Sequence, residues 1–331
     1  MILSRSPYRI SFLGGGTDVK EWYYENGGGV ISAAINKYVY VQLKRQNFFF
    51  PNDIHHRIIW RRIEKEKNIS NIKNPIVKAA FIFSKITQFY DCFYSGDLPS
   101  MSGCGSSSAF TVALLNSINE AENKKKDKKE LFKDAVHIER SLIKEHGGIQ
   151  DQFRSAFGGF SYMKINKKGL VSNHKLKINK QNSTKLQRSL EIYFIRGIRS
   201  SSILMNKHKI NIKSNKLLLK EMNNLTKRGI NILNSNSINF IKEFSEIIDE
   251  SWLIKKSFHD KVSSIEINEI ISKAKDRGAY TGKLMGAGSS GFIFFIKNKN
   301  NSLNLNKYFR NLVGPLNIKF DYEGVKTIYS T

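Results

Sequence analysis

The stretch from Pro99 to Ala109 reads Pro-Ser-Met-Ser-Gly-Cys-Gly-Ser-Ser-Ser-Ala, and an apolar run with helical spacing follows it to about Ala121. Two glycines and four serines fall within residues 101–108. Glycine lets the backbone approach a ligand and take a positive φ, and serine caps helix N–H groups. The amino end of a helix adds unpaired donors and partial positive charge. The stretch therefore predicts either a cradle for an anion such as phosphate, or only a flexible loop that caps a helix.

Two more glycine-rich segments lie far away along the chain, at Gly14–Asp18, after a predicted strand, and at Gly286–Gly291. The latter spells GxGxxG, but a dinucleotide site needs a strand before this motif and a helix after it. We predict a helix-like segment before it and an apolar strand, Phe292–Ile296, after it, which argues against a dinucleotide-binding domain. A Walker P-loop sequence is absent as well. Three such loops in one chain indicate convergence on a single polyanionic ligand.

A further informative stretch runs from His137 to Gln152 and carries two candidate carboxylates. Glu139 is expected in the middle of a helix over residues 131–146, which Gly147-Gly148 would end. Asp151 is expected in the glycine-flanked loop that follows. Carboxylates in these positions suit a metal ion and a proton transfer. For Glu139 a solvated helix face is the alternative.

Composition limits the classes of protein to consider. The 331 residues suffice for two domains, and 40% hydrophobic with 25% charged residues is ordinary globular composition. The net charge is +26, but no basic stripe carries stacking aromatics, so we expect no nucleic-acid partner. No apolar run is long enough for a membrane span, so we expect no membrane partner. The lack of a secretory signal and the presence of only two cysteines favour the reducing cytoplasm.

Local patterns predict the elements that surround these motifs. Asn74-Pro75 should cap and begin a helix to about residue 87, and the polar segment near residues 180–188 should separate two domains, 1–185 and 186–331. Further strands are expected at 1–14, 38–43, 55–63, 91–94 and 190–194, and further helices at 200–234, 238–256 and 265–277.

Taken together, the motifs resemble those of the GHMP kinases, which phosphorylate sugars and other small metabolites. The first motif of that family matches Pro7–Asp18, the second Pro99–Ser107 and the third Gly282–Gly288. Gly148–Gln152 matches a segment of the galactokinase-like members. Within the family, the string Arg-Ile-Ser-Phe-x-Gly-Gly-Gly-Thr-Asp, which starts at Arg9, is most similar to the D-glycero-D-manno-heptose 7-phosphate kinases.

The chain departs from the family pattern at three places. Cys104 stands where a leucine is usual, and Met101 where this subfamily commonly has glycine. Ser289-Ser290 replaces a Gly-Gly pair in the third motif. None of these changes removes a charged candidate residue.

The resemblance implies a fold and an activity. The fold would be α+β, with an N-terminal domain like the second domain of ribosomal protein S5, a ferredoxin-like C-terminal domain and ATP in the cleft between them. The activity would be ATP- and Mg²⁺-dependent phosphorylation of D-glycero-D-manno-heptose 7-phosphate at its anomeric hydroxyl, giving a 1,7-bisphosphate for nucleotide-activated heptose and surface polysaccharide. ATP and a small sugar phosphate would be the partners, and a homodimer stays open. The alternatives are a kinase for an unphosphorylated sugar such as fucose or galactose, and a non-catalytic sugar- or nucleotide-binding regulator.

The resemblance also assigns roles to residues. The ATP phosphates would bind the loop Ser102, Gly103, Cys104, Gly105, Ser106, Ser107 and Ser108, and Ser107 and Glu139 would hold Mg²⁺. Asp151 would orient or deprotonate the acceptor hydroxyl, with Arg9 stabilising negative charge beside it. The substrate would be bound by Gly15, Gly16, Thr17, Asp18, Gly286 and Gly288. Arg199 is our candidate for the phosphate that the sugar already carries, because a guanidinium suits phosphate, although a surface salt bridge would explain it as well.

Overall fold

The computed structural model describes residues 1–46, 55–100, 102–196, 211–212, 214–235, 237–286, 288, 290–298 and 302–331. Within this part of the chain, eight strands form one sheet and four form another. The first sheet contains β1 (Ile2–Leu13), β2 (Gly28–Arg45), β3 (His56–Ile59), β4 (Ile63–Glu66), β5 (Tyr90–Gly96), β6 (Phe160–Ile165), β7 (Val171–Lys175) and β12 (Lys326–Ser330). The second contains β8 (Leu190–Ile195), β9 (Ala279–Leu284), β10 (Gly291–Lys297) and β11 (Leu312–Val313).

The larger sheet has the order β12-β1-β2-β5-β3-β4, with β6 paired to the first part of β2 and β7 paired to β6. Its pairs are antiparallel except β3 with β5. β1 and β2 run side by side almost from end to end, which sets Arg9 opposite Ala34. The pairing of β12 with β1 brings the last strand back to this sheet.

The smaller sheet has the order β11-β8-β10-β9 and is antiparallel throughout. In chain order this is 4-1-3-2, the strand order of a ferredoxin-like domain. The described residues between β10 and β11 contain only a 3₁₀ turn, Leu305–Lys307, where that topology usually has its second helix.

Nine α-helices are present in the described ranges: α1 (Lys20–Asn26), α2 (Pro75–Phe83), α3 (Ser106–Ala121), α4 (Lys128–Val136), α5 (Gln150–Phe157), α6 (Lys180–Ser189), α7 (Lys216–Asn234), α8 (Phe240–Ser257) and α9 (Ile265–Asp276). A π-helix, His137–Leu142, continues α4. α3 packs on β1 and β2 and buries most of its residues, so it is a core helix. The serine-rich loop is therefore anchored from behind by the centre of the larger sheet.

One aromatic side chain connects the two sheets. Phe12 is fully buried at the end of β1, and its ring lies 5.6 Å from Phe160 in β6, 5.8 Å from Phe244 in α8 and 5.5 Å from Phe294 in β10, measured between centroids. Edge-to-face and tilted contacts at these distances are favourable for aromatic rings. The apolar core is thus continuous from one sheet to the other.

The structure confirms the α+β fold class and most of the predicted elements. The side chain of Asn74 accepts hydrogen bonds from Ile76 and Val77, and α2 begins at Pro75 as expected. Strands were predicted correctly at β1, β5, β8 and β10. The predicted helix over 200–234 lies partly outside the described residues, and its last part is α7.

Residues 180–188, where the domain boundary is predicted, form most of α6, which Asn179 caps. Three local predictions were wrong. The segment before Gly286 is strand β9, so the GxGxxG motif lies in a β-hairpin, which still lacks the helix of a dinucleotide site. The predicted strand over 55–63 is instead the β3–β4 hairpin. The helix expected to reach residue 146 ends with the π-helix at Leu142. The division between residues 185 and 186 stays a prediction.

A buried lysine ties the two sheets together by hydrogen bonds. Lys283 in β9 donates to the carbonyl oxygen of Phe12, at 2.7 Å, and to the hydroxyl of Ser251, at 3.0 Å. Burial lowers the pKa of Lys283 to about 7, because the charged form loses its contact with water. Neither partner is a carboxylate, so the ammonium is held by neutral dipoles alone.

This ammonium predicts a pH dependence of stability. Between about pH 7 and pH 10, the lysine is protonated in the unfolded chain and largely neutral in the folded protein, so stability rises with pH. We expect the free energy of unfolding to rise more for the wild type than for Lys283→Met, by up to about 1.4 kcal/mol per pH unit. Urea unfolding at several pH values measures this difference.

Lys256→Met is the matched control, because Lys256 lies on α8, away from the Lys283 ammonium, and has no hydrogen bond or ion pair in the described structure. Its stability should follow the wild-type pH dependence. Parallel curves for Lys283→Met and the wild type would show that the ammonium keeps its charge in the fold.

Candidate functional site

The serine-rich loop, residues 102–108, leads into α3 with a backbone suited to binding an anion, and it is named the phosphate loop. Gly105 is the N-cap residue in the left-handed region, with φ of 81°, and no side chain caps the helix there. Gly103 has a positive φ of 79° as well. Residues that need positive φ favour glycine, and uncapped first-turn N–H groups are donors for a bound anion. The structure therefore provides the geometry that a phosphate loop requires.

Cys104 points inward from this loop. Its side chain is buried, and burial raises the pKa of its thiol to about 12, so the thiol behaves as a small apolar group. This accounts for a cysteine in place of leucine, since either fills an apolar site behind the loop. The carbonyl of Cys104 accepts a hydrogen bond from the backbone N–H of Arg9, at 3.1 Å, which fixes the loop to β1.

Arg9 and Asp151 form the central ion pair of the site. Arg9 donates from Nε to Oδ1 of Asp151, at 2.7 Å, and from Nη2 to Oδ2, at 2.9 Å. Its Nη1 donates to the carbonyl of Gly103, at 2.5 Å. Parallel bonds from a guanidinium to a carboxylate fix the orientation of both groups. The Arg9 side chain is 5% exposed and that of Asp151 24%, so the carboxylate faces the open side of the pair.

Asp151 lies in the first turn of α5 and not in the loop that the sequence suggested. It lies against the phosphate loop: a Cβ atom built on Gly105 would be 3.2 Å from its carboxylate carbon. The carboxylate is therefore next to the backbone where the phosphates are expected, and a helix rather than a flexible loop holds it there.

Asp18 positions the chain before Asp151. Its carboxylate accepts hydrogen bonds from the backbone N–H of Gln150, at 3.0 Å, and of Gly16, at 3.1 Å. Burial raises the pKa of Asp18, the bond from Gln150 lowers it, and the nearby Asp151 raises it. A Cβ on Gly148 would lie 1.9 Å from this carboxylate, so only glycine fits there. With both oxygens bound to backbone, Asp18 links the first motif to the segment carrying Asp151.

Arg140 holds the same segment from the other side. Its Nε and Nη2 donate to the carbonyl of Gly148, at 3.2 and 2.7 Å. The turn before α5 is thereby held between Asp18 and Arg140.

Glu139 is buried, which excludes the solvated helix face as its environment. It lies in the π-helix and is 1% exposed. Its Oε2 accepts from the hydroxyl of Ser108, at 2.9 Å, and from the amide of Gln152, at 2.7 Å. Burial raises the pKa of Glu139 to about 7, although Arg140 lowers it. π-Helices are rare and frequently occur at functional sites.

The donor set fits Mg²⁺. Among the buried side-chain atoms that have no hydrogen-bond partner in the described residues are Oε1 of Glu139, Oε1 of Gln152 and Oγ of Ser102. Buried polar atoms in folded proteins nearly always have partners, so these orphans point to a ligand. Mg²⁺ usually takes one or two carboxylates together with substrate phosphates and water. In the described ranges, no group of three or more His, Cys, Asp or Glu side chains is arranged to hold a metal ion. A magnesium site of the kind above does not require such a group, because phosphates and water supply the other ligands.

The structure places most of the remaining predicted residues near the site, but not all of them have a side chain available to a ligand. Gly15 and Gly16 lie in the first glycine loop, where a Cβ on Gly15 would be 3.7 Å from the Gln150 amide nitrogen. The Thr17 hydroxyl is not available to a substrate, because it donates to the carbonyls of Gly14 and Gly29 and accepts from the Gly29 N–H. Ser107 is partly exposed, whereas the hydroxyl that bonds Glu139 is that of Ser108. Arg199 lies outside the described residues.

The third glycine motif packs on the phosphate loop. A Cβ on Gly286 would be 2.5 Å from the Cα of Gly103, and a Cβ on Gly291 2.4 Å from the Ser102 carbonyl. The N–H of Phe292 donates to that carbonyl at 3.1 Å. Gly288 lies against the Val262 backbone, where a Cβ would meet atoms at 2.8 Å. The third motif and the phosphate loop therefore converge, and these glycines allow backbone to lie on backbone. The first glycine loop is connected to them through the bond from Gln150 to Asp18, next to Asp151.

Sequence reasoning missed several residues of the site. Arg140 and Gln152 adjoin the two candidate carboxylates, and their neighbourhood was the available signal. The pairing of Ser108 with Glu139 depends on helix phase at the π-helix, which spacing along the chain does not give. Lys255 in α8 donates to the carbonyls of Leu284 and Gly286, yet nothing distinguishes it among 54 lysines and arginines.

Comparison with known proteins agrees with this geometry. The family model described as the GHMP kinases N terminal domain matches residues 74–159, and that described as GHMP kinases C terminal matches residues 232–308. The chain is 29% identical to the D-glycero-alpha-D-manno-heptose 7-phosphate kinase of Campylobacter jejuni, over 98% of each chain. No helix in the described ranges combines the length and the apolar composition that crossing a membrane would need.

Two solved structures have the same fold. A D-glycero-D-manno-heptose 1-phosphate kinase from Bacteriodes thetaiotaomicron superposes with a TM-score of 0.77 at 23% identity, with all of both chains covered. A putative sugar kinase from Campylobacter jejuni gives 0.70 at 27% identity, covering 98% of this chain and 97% of the other. Both family models match in order and the fold is shared from end to end, so the chain carries the N-terminal and C-terminal domains described for the GHMP kinases.

Proposed function

We propose that the protein transfers the γ-phosphoryl group of ATP to the anomeric hydroxyl of a sugar phosphate, D-glycero-D-manno-heptose 7-phosphate. The observation that carries the proposal is the Asp151 carboxylate, fixed by Arg9 and placed against Gly105 of the phosphate loop. A hydroxyl bound at this carboxylate would be next to the phosphate to be transferred. The name of the Campylobacter jejuni relative supports the choice of sugar.

The mechanism that we propose relies on positioning and charge. Backbone N–H groups of residues 103–108 and the amino end of α3 would bind the phosphates of ATP. Asp151 would accept a hydrogen bond from the acceptor hydroxyl, orient it in line with the phosphoryl group and take its proton as the new bond forms. Arg9 would hold that carboxylate in place and stabilise the negative charge of the transferred group.

Ser107 and Glu139 would hold Mg²⁺, which when bound neutralises phosphate charge. The buried Oε1 of Glu139, which has no partner among the described residues, is available for this role. The net charge of +26 would favour the approach of two anionic substrates. We further propose that the reaction takes place in the cytoplasm and that its product, a sugar 1,7-bisphosphate, supplies nucleotide-activated heptose for surface polysaccharide.

A panel of acceptors tests the proposed function. Purified protein with ATP and Mg²⁺ is offered heptose 7-phosphate, free heptose, galactose and fucose, and ADP release is measured. We expect the highest kcat/KM with heptose 7-phosphate, and a new anomeric phosphate in the ³¹P spectrum of the product. Faster turnover of a free sugar would favour the kinase for an unphosphorylated acceptor. Failure with every sugar phosphate would favour a non-catalytic binding protein.

The same assay examines Arg199. We expect Arg199→Ala to raise KM for the sugar phosphate about tenfold or more and to leave KM for ATP nearly unchanged, because a guanidinium bound to phosphate contributes a charge-assisted hydrogen bond. A rise in KM for ATP instead would assign Arg199 to the nucleotide.

For Asp151 we expect the effect in the chemical step. Asp151→Asn keeps the shape of the side chain but cannot take a proton, so kcat should fall at least about 10²-fold. The Kd for ATP, measured by calorimetry, should stay nearly the same. Asp134→Asn is the control, since Asp134 is a carboxylate of α4 paired with Lys126. Near-normal turnover of Asp151→Asn would remove the proton-transfer role.

The two neighbouring serines separate metal binding from support of Glu139. Ser107→Ala should raise the Mg²⁺ concentration needed for half-maximal rate, because it removes a ligand. Ser108→Ala should lower the free energy of unfolding by about 1 kcal/mol, because it removes a buried hydrogen bond to Glu139, with a smaller change in Mg²⁺ requirement. If Ser108→Ala has the larger effect on Mg²⁺, the ligand is Ser108.

A further inference from the structure

A second lysine of the C-terminal half lies where the third glycine motif meets the phosphate loop. Lys255, near the end of α8, donates to the carbonyl of Gly286 at 2.6 Å and to that of Leu284 at 3.1 Å. Gly286 is the residue that lies against Gly103 of the phosphate loop. The Lys255 ammonium is therefore connected, through Gly286, to the loop expected to hold the phosphates.

Two basic side chains lie near Lys255. Within the described part of the chain it makes no ion pair, and its neighbours include Arg9 and Lys283. Burial lowers the pKa of Lys255 well below its ordinary value, and the charges of Lys283 and Arg9 lower it further. Asp151 is already bound on both oxygens by Arg9. The junction thus holds more basic groups than carboxylates that could pair with them.

The two lysines of this junction differ in what they join. Lys283 donates to Phe12 and Ser251 and connects the two sheets. Lys255 hydrogen-bonds carbonyls of the third glycine motif, and its ammonium lies 5.5 Å from the centroid of the Trp252 ring. The two carbonyl acceptors use two of the three N–H donors of an ammonium. A partly buried cation without an anionic partner loses hydration, and a bound anion would offset that loss.

We propose that Lys255 binds a phosphate group of the reactants at the junction of the phosphate loop and the third glycine motif. This inference rests on the proposed function, which brings two phosphate-bearing molecules to the site. The shared chemistry is a phosphate dianion, and it has two possible sources: the γ-phosphate of ATP, or the phosphate that the sugar already carries. Lys255 would hold this group and, through Gly286, keep the third motif closed on the phosphate loop.

Calorimetry with nucleotides tests the first source without any acceptor. ADP and the non-hydrolysable ATP analogue AMP-PNP are titrated, with Mg²⁺, into the wild type, Lys255→Met and Lys255→Arg. If Lys255 binds the γ-phosphate, Lys255→Met weakens AMP-PNP about tenfold or more and ADP by less than about threefold. Lys255→Arg, which keeps the charge, recovers part of the loss. This arm is independent of turnover, so it can succeed even if the proposed reaction is wrong.

Titration of heptose 7-phosphate and of free heptose tests the second source. A loss of about tenfold or more in Lys255→Met for the phosphorylated sugar alone assigns Lys255 to the acceptor phosphate. Selective loss in either arm supports the proposal. Lys256→Met, which replaces the next residue along α8, should bind all four molecules like the wild type.

Thermal melting distinguishes a purely structural effect from a loss of binding. Methionine keeps the apolar stem, so Lys255→Met is expected to melt within a few degrees of the wild type. The proposal is overturned if Lys255→Met binds ADP and AMP-PNP with equal losses and the two sugars with equal losses. It is also overturned if none of the affinities changes. Where the methionine variant melts early, Lys255→Gln, which keeps a hydrogen-bond donor without the charge, replaces it in the same titrations with the same expected losses.

Discussion

The guanidinium of Arg9 is the contact on which the arrangement of the site depends. It joins a central strand of the larger sheet, the phosphate loop through the Gly103 carbonyl, and α5 through Asp151. A planar group with donors in a fixed fork holds its three acceptor atoms, the Gly103 carbonyl and both carboxylate oxygens of Asp151, in a fixed arrangement, which an ammonium could not do. The Asp151 carboxylate and the loop are therefore positioned by the same side chain, relative to each other and to β1.

The site is assembled from segments that do not meet along the chain. Asp18 binds the N–H of Gln150, and Ser108 and Gln152 bind Glu139, so the first motif, α3 and α5 are cross-linked by side chains. Arg154, a fully buried residue of α5, anchors this helix by hydrogen bonds to Ser32, Ser161 and two glycine carbonyls. Burial lowers its pKa to about 9. These hydrogen bonds hold α5 in place and so help to position the Asp151 carboxylate in its first turn.

The sequence allowed the general plan to be predicted because its strongest patterns are local. Glycine runs, the Asn74-Pro75 helix start and the apolar strand Phe292–Ile296 each specify structure within a few residues, and the ordered motifs identify the family. Helix α6 was not predicted because residues 180–188 are polar and lack an apolar stripe, while the buried Leu186 and the Asn179 cap suffice to place the helix. Strand β9 was missed because its burial comes from α8 and α9, which only the tertiary structure supplies.

Side-chain pairing within the site was less accessible. The side chain of Glu139, for which a solvated helix face was the alternative, lies in the π-helix and points inward to Ser108. Asp18 and Thr17 belong to a motif associated with substrate, yet in this structure both bond to the backbone of their own neighbourhood. A motif gives the residues that meet at a site, but the hydrogen bonds of the fold decide which of their atoms remain for a ligand.

The contact between Gly103 and Gly286 constrains how the molecule can move. Two backbones that touch, with the Phe292 N–H bonded to Ser102 beside them, can turn about each other but cannot separate cheaply. Any movement of the smaller sheet relative to the larger one would therefore be smallest beside this contact. The backbone of the phosphate loop would keep its shape while other parts of the interface adjusted.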